Sequence, residues 1–546
     1  MLPKDVPSPE TIGSLFEFLF ESRDMWLWRI AWPPDAFCFA ATALQRSSAY
    51  TALVGTGKPK LRFKHHLKDR AEALEKIGDQ WRMLAAKGKL PPKLIGEWLG
   101  QIRTRRHVPL SSLATHKRTL AALTNLLAAA DEACYGLGIS LTSSDNDQFT
   151  KIAEAQLLPT TENGSTLCRN IHPSRARVLP KCHTAQTGLT IRSFSHFIAL
   201  ASSSEVRPEW YSFCDGTSQH ALNLLLIPWP GEVIPRQFRP TEILRITDEV
   251  ERGGYGLFTF DSIGQPSVKA LRKLVDAAEK TVGRIDGMIF PEVALDPKSV
   301  TRISNAFVRE DRFLIAGVGR PANVKAAGEN YIRFDVMLPG GEYIPELVQN
   351  KHHRWKLEKN QIMQYGIGSS LNPQANWWEH IDVNDRSIVL VTLKPWLTAS
   401  VLICEDLARP DPLGDLIHSV GPNLLICLLM DGPQISSRWP GRYATTLADD
   451  PGSSVLTLTS IGMANLSRPS SGVVAPSRCI ALWKDARTGS AKEVVLPSGA
   501  DAVVLSIAVE YCEEWTADGR GDGGNAGHPY LVGQHPISAK KVYSGN

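Results

Sequence analysis

The chain has 546 residues, of which 43% are hydrophobic and 21% charged, and its formal net charge at pH 7 is only +4. This composition is typical of a soluble globular protein with two or three domains. The whole-chain charge argues neither for nor against nucleic-acid binding. Lys and Arg outnumber Asp and Glu before residue 216, so a nucleic-acid or acidic protein partner and a merely solvated basic surface both stay open for that half.

The cysteines and the amino terminus predict a cytoplasmic protein. Nine cysteines are scattered along the chain without a CxxC pair, which is typical of reduced thiols in the cytosol. The first residues, MLPKDVPSPE, lack the apolar core of a signal peptide. No run approaches the ~18 apolar residues that a membrane-spanning helix needs, so no membrane association is expected.

Residues 1–138 predict a helical domain. Leu74, Ile77, Trp81 and Leu84 recur at the spacing of one helix face. Such a stripe is more often core than binding surface, so it indicates packing rather than function.

Residues 139–215 are polar and rich in turn-forming residues, and they predict a linker or extended arm. Cys168, His172, Cys182 and His183 within it suggest a zinc site. Their spacing matches no standard zinc finger, so the prediction is that neither a metal nor an organic cofactor is bound.

Residues 216–512 show many short apolar runs with a few helical stretches between them, which predicts an α/β domain with buried sheets. Within 216–512, neither a GxGxxG nor a GxxxxGK[ST] motif occurs. Residues 513–546, which contain GRGDGGNAG, predict a disordered tail.

Three polar residues in this α/β half stand just behind apolar runs. Glu292 follows MIFP, Lys351 follows EYIPELVQN, and Cys404 follows VLI. Side chains at strand ends converge on pockets in α/β folds, so the three residues could share one site. Taken singly, each is more often structural or solvated than catalytic.

Together, these residue types make chemical sense as a nucleophilic site. A thiol attacks as the thiolate, and a partly desolvated carboxylate such as Glu292 can accept its proton. A lysine cation stabilises both the thiolate and the oxyanion that forms on attack. The backbone N–H of Glu405 is a natural second oxyanion donor.

The segments IFPE, KHHRWKLE and ICEDL resemble the signature of the carbon–nitrogen hydrolase (nitrilase) superfamily. The resemblance covers about 220–511 and extends to LNLLLIPWPGEV, IAGVGRP, SSGVVAP and AVVLSIAV. It implies an αββα sandwich, here with an additional amino-terminal α-helical domain, and a homo-oligomer as the family default.

The resemblance also implies residue roles. Glu292 would be the general base, Lys351 the oxyanion stabiliser, Cys404 the nucleophile and Glu358 a second, orienting glutamate. Lys356 is an alternative to Lys351, but only Lys351 leaves Glu358 in register with the family pattern.

The sequence departs from the family in two places. Residues 368–386 look like an insertion, in which Trp377 and Trp378 either cover the pocket or pin a surface loop. The segment WPGRYATTLADDPGSS, which begins at Trp439, stands where the family has a helix. Its Gly and Pro predict that a long helix is broken. The three tryptophans and Glu405 are the candidate substrate-binding residues.

The resulting hypothesis is a thiol-dependent hydrolase of a non-peptide C–N bond, in an amide rather than a nitrile, that acts through a thioester. The alternative is a ligand-binding or assembly module that uses the same fold. By analogy with nitrilase-like domains fused to reverse transcriptases, such a module could act in a bacterial defence system.

Overall fold

The computed structural model describes thirteen stretches of the chain: residues 9–53, 67–139, 148–159, 164–201, 206–214, 220–244, 254–262, 264–309, 311–323, 325–337, 343–467, 477–524 and 526–539. The segment SSGVVAP, part of the family resemblance, lies outside them. So do 140–147 and 160–163 of the predicted arm.

The amino-terminal region is helical, as the apolar stripes predict. Its centre is α3, an alanine-rich helix that is buried along most of its length and packs against α6. The helices within 1–138 are α1 (Ile12–Phe20), α2 (Trp26–Arg29), α3 (Pro33–Ser47), α4 (Leu67–Ala86), α5 (Lys93–Thr104) and α6 (Lys117–Glu132). A further helix, α7 (Gln148–Leu157), lies in the segment predicted as an arm.

Two seven-stranded sheets form the centre of the larger unit. The first has the spatial order β10 (Tyr343–Asn350), β9 (Glu329–Met337), β8 (Phe313–Arg320), β7 (Gly287–Leu295), β4 (Ala221–Leu226), β19 (Ala502–Cys512) and β20 (Ala526–Ile537). The second has the order β18 (Ala491–Val495), β17 (Cys479–Lys484), β16 (Ser454–Thr459), β15 (Leu424–Leu429), β14 (Leu397–Ile403), β13 (Ser387–Lys394) and β3 (Arg207–Ser212).

The sheets lie face to face with helices outside, which confirms the αββα architecture. β7 contacts β15 and β16 across the interface. Successive side chains of β7 point to opposite faces of its sheet. Met288 and Phe290 pack with the outer helices α8 (Val268–Val282) and α9 (Pro297–Phe307), whereas Ile289 belongs to the core between the sheets. On the second sheet, α12 (Trp439–Asp449) packs against β16 and β17.

Smaller elements complete the fold around one end of the sandwich. A four-stranded sheet has the order β11 (Lys356–Leu357), β12 (Asn376–Glu379), β6 (Tyr255–Phe260) and β5 (Phe238–Leu244), and β1 (Arg177–Pro180) pairs with β2 (Ile198–Ala201). The short helices are α10 (Lys359–Gln364), α11 (Gly414–Val420) and α13 (Ile461–Leu466).

Three expectations about regular structure were wrong. The predicted arm contributes β3, which pairs in parallel with β13 and so belongs to the second sheet. The predicted tail contains β20, paired with β19 along its length, and β20 buries Pro529, Leu531 and Ile537 despite the glycines before it. The helix α12 forms although it contains Pro440 and Gly441, because both lie in its first turn, where proline is tolerated.

No helix among the described residues is both long and apolar enough to cross a bilayer.

Candidate functional site

Cys404 lies at the end of β14, where the chain turns into the short 3-10 helix Cys404–Leu407. β14 is buried along its whole length, because it pairs with β13 on one side and β15 on the other and lies between the second sheet's two covered faces. Cys404 has φ +47°, a left-handed conformation that costs a non-glycine residue about 1–2 kcal/mol. The thiol is therefore held at the strand end in a strained backbone and is 2% exposed.

Glu292, within the central strand β7, and Lys351, directly after β10, form a buried ion pair. Lys351 Nζ donates to Glu292 Oε1 over 2.8 Å and to Glu379 Oε2 over 2.7 Å. Asn330 Nδ2 bridges the same two carboxylates, at 2.8 Å from each. The second oxygen of Glu292 accepts the backbone N–H of Met430 at 2.6 Å. One ammonium thus serves two carboxylates in a site closed to solvent.

Hydrogen bonds join the lysine strand to the cysteine strand. On β10, Gln349 Nε2 donates to the carbonyl of Val401 on β14 over 2.8 Å. Beyond the two strand ends, His353 Nδ1 lies 2.8 Å from Asp406 Oδ1, two residues after Cys404. These contacts fix Lys351 relative to Cys404 although the two residues belong to different sheets.

Burial dominates the electrostatics of the site. It raises the pKa of Glu292, and Glu379 adds to that rise while Lys351 opposes it. Burial alone would lower the pKa of Lys351, but Glu292, Glu379 and Cys404 outweigh it and hold that pKa well above the usual value. Burial and the charge of Glu292 raise the pKa of the Cys404 thiol, against the effect of Lys351. The resting pair is consequently a neutral thiol beside a lysine cation.

The structure does not place Glu358 with these groups. Its side chain is 56% exposed and pairs with Lys356. Glu379, at the end of β12 in the apparent insertion, takes the position that the resemblance assigned to Glu358. Of the two candidate lysines, Lys351 contacts Glu292, whereas Lys356 pairs with Glu358. Glu379 follows a pair of tryptophans and belongs to no recognisable motif, so its role could not be predicted from the residues around it.

The other predicted binding residues are spread around this centre. Trp377 is buried in an apolar cluster that contains Val293 and Met430, while its Nε1 donates to the carbonyl of Asn372. It therefore both packs beside the site and pins the inserted loop. The Lys356 ammonium lies over the ring of Trp378, with its Nζ 5.6 Å from the ring centre.

Glu405 and Trp439 lie on the second sheet's side of the site. The backbone of Glu405 belongs to the first turn of Cys404–Leu407, and its carboxylate contacts Arg409 at 3.3 Å. Trp439 is the first residue of α12 and packs edge-on against Tyr443. α12 contacts the Cys404–Leu407 turn.

The four residues considered for zinc do not come together. His172 is exposed, beside Ser174. Cys168 is buried near Asp35. The one group of metal-ligand type within the described stretches instead joins His183 to Glu514 and His528.

That group fits a hydrogen-bonded cluster better than a metal site. Asn423 Oδ1 accepts the N–H of Thr398, so its Nδ2 is the atom that faces His183 Nε2 at 3.2 Å. Nε2 must then be an acceptor, which places the ring proton on Nδ1, 3.2 Å from Glu514 Oε1. A protonated Nδ1 donates to Glu514 and cannot bind a metal.

No model of a known protein family matches the chain, and no curated protein matches it in sequence. Several solved structures are similar over more than half of it. Nit3 of Saccharomyces cerevisiae, a member of branch 10 of the nitrilase superfamily, is 13% identical with a TM-score of 0.32, over 53% of this chain and 90% of that one. An amidase from Nesterenkonia sp. AN1 is 11% identical with a TM-score of 0.28, over 59% and 89%. A carbon–nitrogen hydrolase from Helicobacter pylori is 10% identical with a TM-score of 0.29, over 59% and 91%. The solved structures to which this chain is similar thus include carbon–nitrogen hydrolases of the nitrilase superfamily.

Proposed function

We propose that the protein is a carbon–nitrogen hydrolase that cleaves a non-peptide amide through a thioester on Cys404. The single observation that carries the proposal is the buried contact of Lys351 with Glu292 at 2.8 Å, close to a thiol at the end of β14 in the other sheet. A buried lysine and two carboxylates are costly to desolvate, so a site that only needed to pack would be more stable with apolar side chains.

In the first half-reaction the Cys404 sulfur attacks the amide carbon while Glu292 takes the thiol proton. The pKa of Glu292 is raised by burial, which makes it a stronger base than an exposed glutamate. Lys351 and the N–H of Glu405 stabilise the oxyanion. Glu292 then returns the proton to the departing nitrogen, the C–N bond breaks, and a thioester and a free amine remain.

In the second half-reaction Glu292 accepts a proton from water, whose oxygen attacks the thioester carbon. The same donors stabilise the second oxyanion. The C–S bond breaks, the sulfur regains the proton from Glu292, and the carboxylic acid leaves. Each turnover consumes one amide and one water and requires no other reactant.

The test is brief labelling with substoichiometric iodoacetamide, read by peptide mass spectrometry. Cys404 should react faster than Cys427, which is the matched control because it lies on the adjacent strand and is equally buried. Glu292→Gln should slow labelling at Cys404 and leave the other thiols unchanged. Equal labelling of Cys404 and Cys427 in the wild type would show that no base activates Cys404. It would favour a binding or assembly module instead, and a pull-down with residues 1–215 as bait would follow.

A further inference from the structure

Two buried oxygen atoms at the site accept no hydrogen bond from any described residue. They are Asp431 Oδ2 and Asn330 Oδ1, and the two residues are 4% and 2% exposed. Asn330 bridges Glu292 and Glu379 through its Nδ2, and Asp431 follows Met430, which donates its N–H to Glu292. Buried acceptors are nearly always paired, so a molecule bound beside these two should bring donors.

Asp431 is the charged member of this set and lies next to the reacting groups. The register of β14 and β15 pairs Ile403 with Leu428, which places Cys404 level with Leu429. Asp431 comes two residues later, just beyond the end of β15, and its charge acts on the Cys404 thiol. The residue before it, Met430, donates its N–H to Glu292. A small molecule attached to the sulfur can reach Asp431.

The other oxygen of Asp431 is already engaged. Its Oδ1 accepts the Tyr365 hydroxyl at 2.5 Å and Arg438 Nη2 at 2.8 Å. These two donors fix the carboxylate plane and leave Oδ2 as the atom for a further partner. The turn itself is held by Thr459 Oγ1, which donates to the Asp431 carbonyl over 2.6 Å.

The charges that face this space are unequal. Glu292, Glu379 and Asp431 are three carboxylates, against the two cations Lys351 and Arg438. Glu405, on the neighbouring turn, is matched by Arg409. The surplus is negative, so a ligand with a positive charge is favoured over one with a negative charge.

The remaining surroundings are apolar. The cluster beside the site includes Trp355, Tyr365, Trp377, Met430 and Val293. Such surroundings suit a short hydrocarbon stem, and they strengthen a charged hydrogen bond at the end of that stem by excluding water.

Resting on the proposed hydrolase function, we infer that the substrate is a small amide that carries a cationic nitrogen group, an ammonium, amidinium or guanidinium, bound by Asp431 Oδ2. The neutral acceptor Asn330 Oδ1 receives a further N–H group of the same ligand. Asp431 is thus a specificity-determining residue: it selects the substrate and takes no part in the proton transfers.

The experiment compares three electrophiles that alkylate thiols: the chloroacetamides of ethylenediamine, propylamine and glycine, which carry a cation, no charge and an anion. Rates at Cys404 are read by peptide mass spectrometry and divided by each reagent's rate with glutathione. Cys512, which is partly exposed, is the reference thiol in the same molecule. A charge-assisted hydrogen bond predicts that the cationic reagent labels Cys404 about tenfold to a hundredfold faster than the propyl reagent, with no such preference at Cys512.

The variant Asp431→Asn should reduce that preference to within about twofold, by the same reasoning. Asp485→Asn, another buried aspartate but on the turn after β17, should retain it. Equal wild-type rates for the cationic and neutral reagents, or a fastest anionic reagent, would overturn this inference alone and mean that water fills the space. No labelling of Cys404 by any of the three would overturn the hydrolase proposal and the inference with it. The wild-type comparison does not depend on how well the variants fold.

Discussion

Replacing Glu379 with Gln should move the acid limb of Cys404 reactivity to lower pH. Both carboxylates bind one ammonium, at 2.8 Å and 2.7 Å, so those oxygens cannot be more than about 5.5 Å apart, the sum of the two distances. At an effective dielectric constant near 20, two unit charges at that separation repel by about 3 kcal/mol. Since one pKa unit corresponds to about 1.4 kcal/mol, removing the charge should lower the pKa of Glu292 by about two units.

The assay is the rate of Cys404 labelling by iodoacetamide as a function of pH. In the wild type, labelling should fall on acidification as Glu292 gains a proton, above the ordinary range of a glutamate because its pKa is raised. Glu379→Gln should shift that fall by about two pH units. Glu358→Gln is the matched control, because Glu358 is exposed and bound to Lys356, and it should shift nothing. If the Glu358 variant moved the limb, or the Glu379 variant left it in place, the assignment of Glu379 would be refuted.

Two further predictions concern stability. Arg520 is fully buried and donates to Asp131, Glu132 and the carbonyl of Phe194, so Arg520→Met should lower the free energy of unfolding, measured in urea, by about 3–5 kcal/mol. Arg487 is half-exposed, and Arg487→Met should lower it by less than about 1 kcal/mol. Similar losses for the two variants would contradict a stabilising role of the Arg520 contacts. Burial raises the pKa of Asp35 to about 7, although the N–H groups of Asn170 and Arg169 oppose the shift. As the pH rises, Asp35 therefore loses its proton at lower pH in the unfolded chain than in the folded one. The free energy of unfolding should fall by up to about 4 kcal/mol between about pH 4 and pH 7. Asp35→Asn should flatten that slope, and an unchanged slope would show that Asp35 is not its source.

The sequence context of the three site residues predicts strand ends, and two of them do follow strands. Lys351 comes directly after β10 and Cys404 after β14, whereas Glu292 lies within β7, where the pairing with β8 is interrupted between Phe290 and Leu295. An apolar run that ends in a single acid, lysine or cysteine marks a strand end whatever the sheet it belongs to. For that reason Glu292, Lys351 and Cys404 could be placed together without knowing that Lys351 comes from one sheet and Cys404 from the other.

Glu379, Asn330 and Asp431 could not be found in that way. Asn330 and Glu379 lie within strands whose periodicity indicates only that they face inward, and an inward polar residue is usually a satisfied structural one. Asn330 and Glu379 are hydrogen-bonded to each other across 49 residues of sequence, so nothing local distinguishes either of them. Asp431 follows an apolar strand as Cys404 does, but DGP reads as a turn.

The tail was misread for a related reason. Glycines in GRGDGGNAG indicate a chain that cannot pack by itself, but packing here depends on distant residues. Arg520 donates to Glu132 and Asp131 at the end of α6, 388 and 389 residues earlier, and β20, which follows Arg520, pairs with β19. Composition reports what a segment can do alone, and these residues are ordered by surfaces that the rest of the chain provides.

The raised pKa of the Cys404 thiol is consistent with the proposed chemistry. A permanently ionised thiolate would be open to alkylation and oxidation by any small electrophile. Here burial and Glu292 keep the proton on sulfur, and Lys351 is already shared by two carboxylates. A substrate that brings a positive charge to Asp431 would offset the surplus negative charge of the site and so lower the pKa of the thiol. Binding of a cationic amide would then favour ionisation of Cys404 and add to the activation by Glu292, so a cationic reagent should react faster at Cys404 than a neutral one such as iodoacetamide.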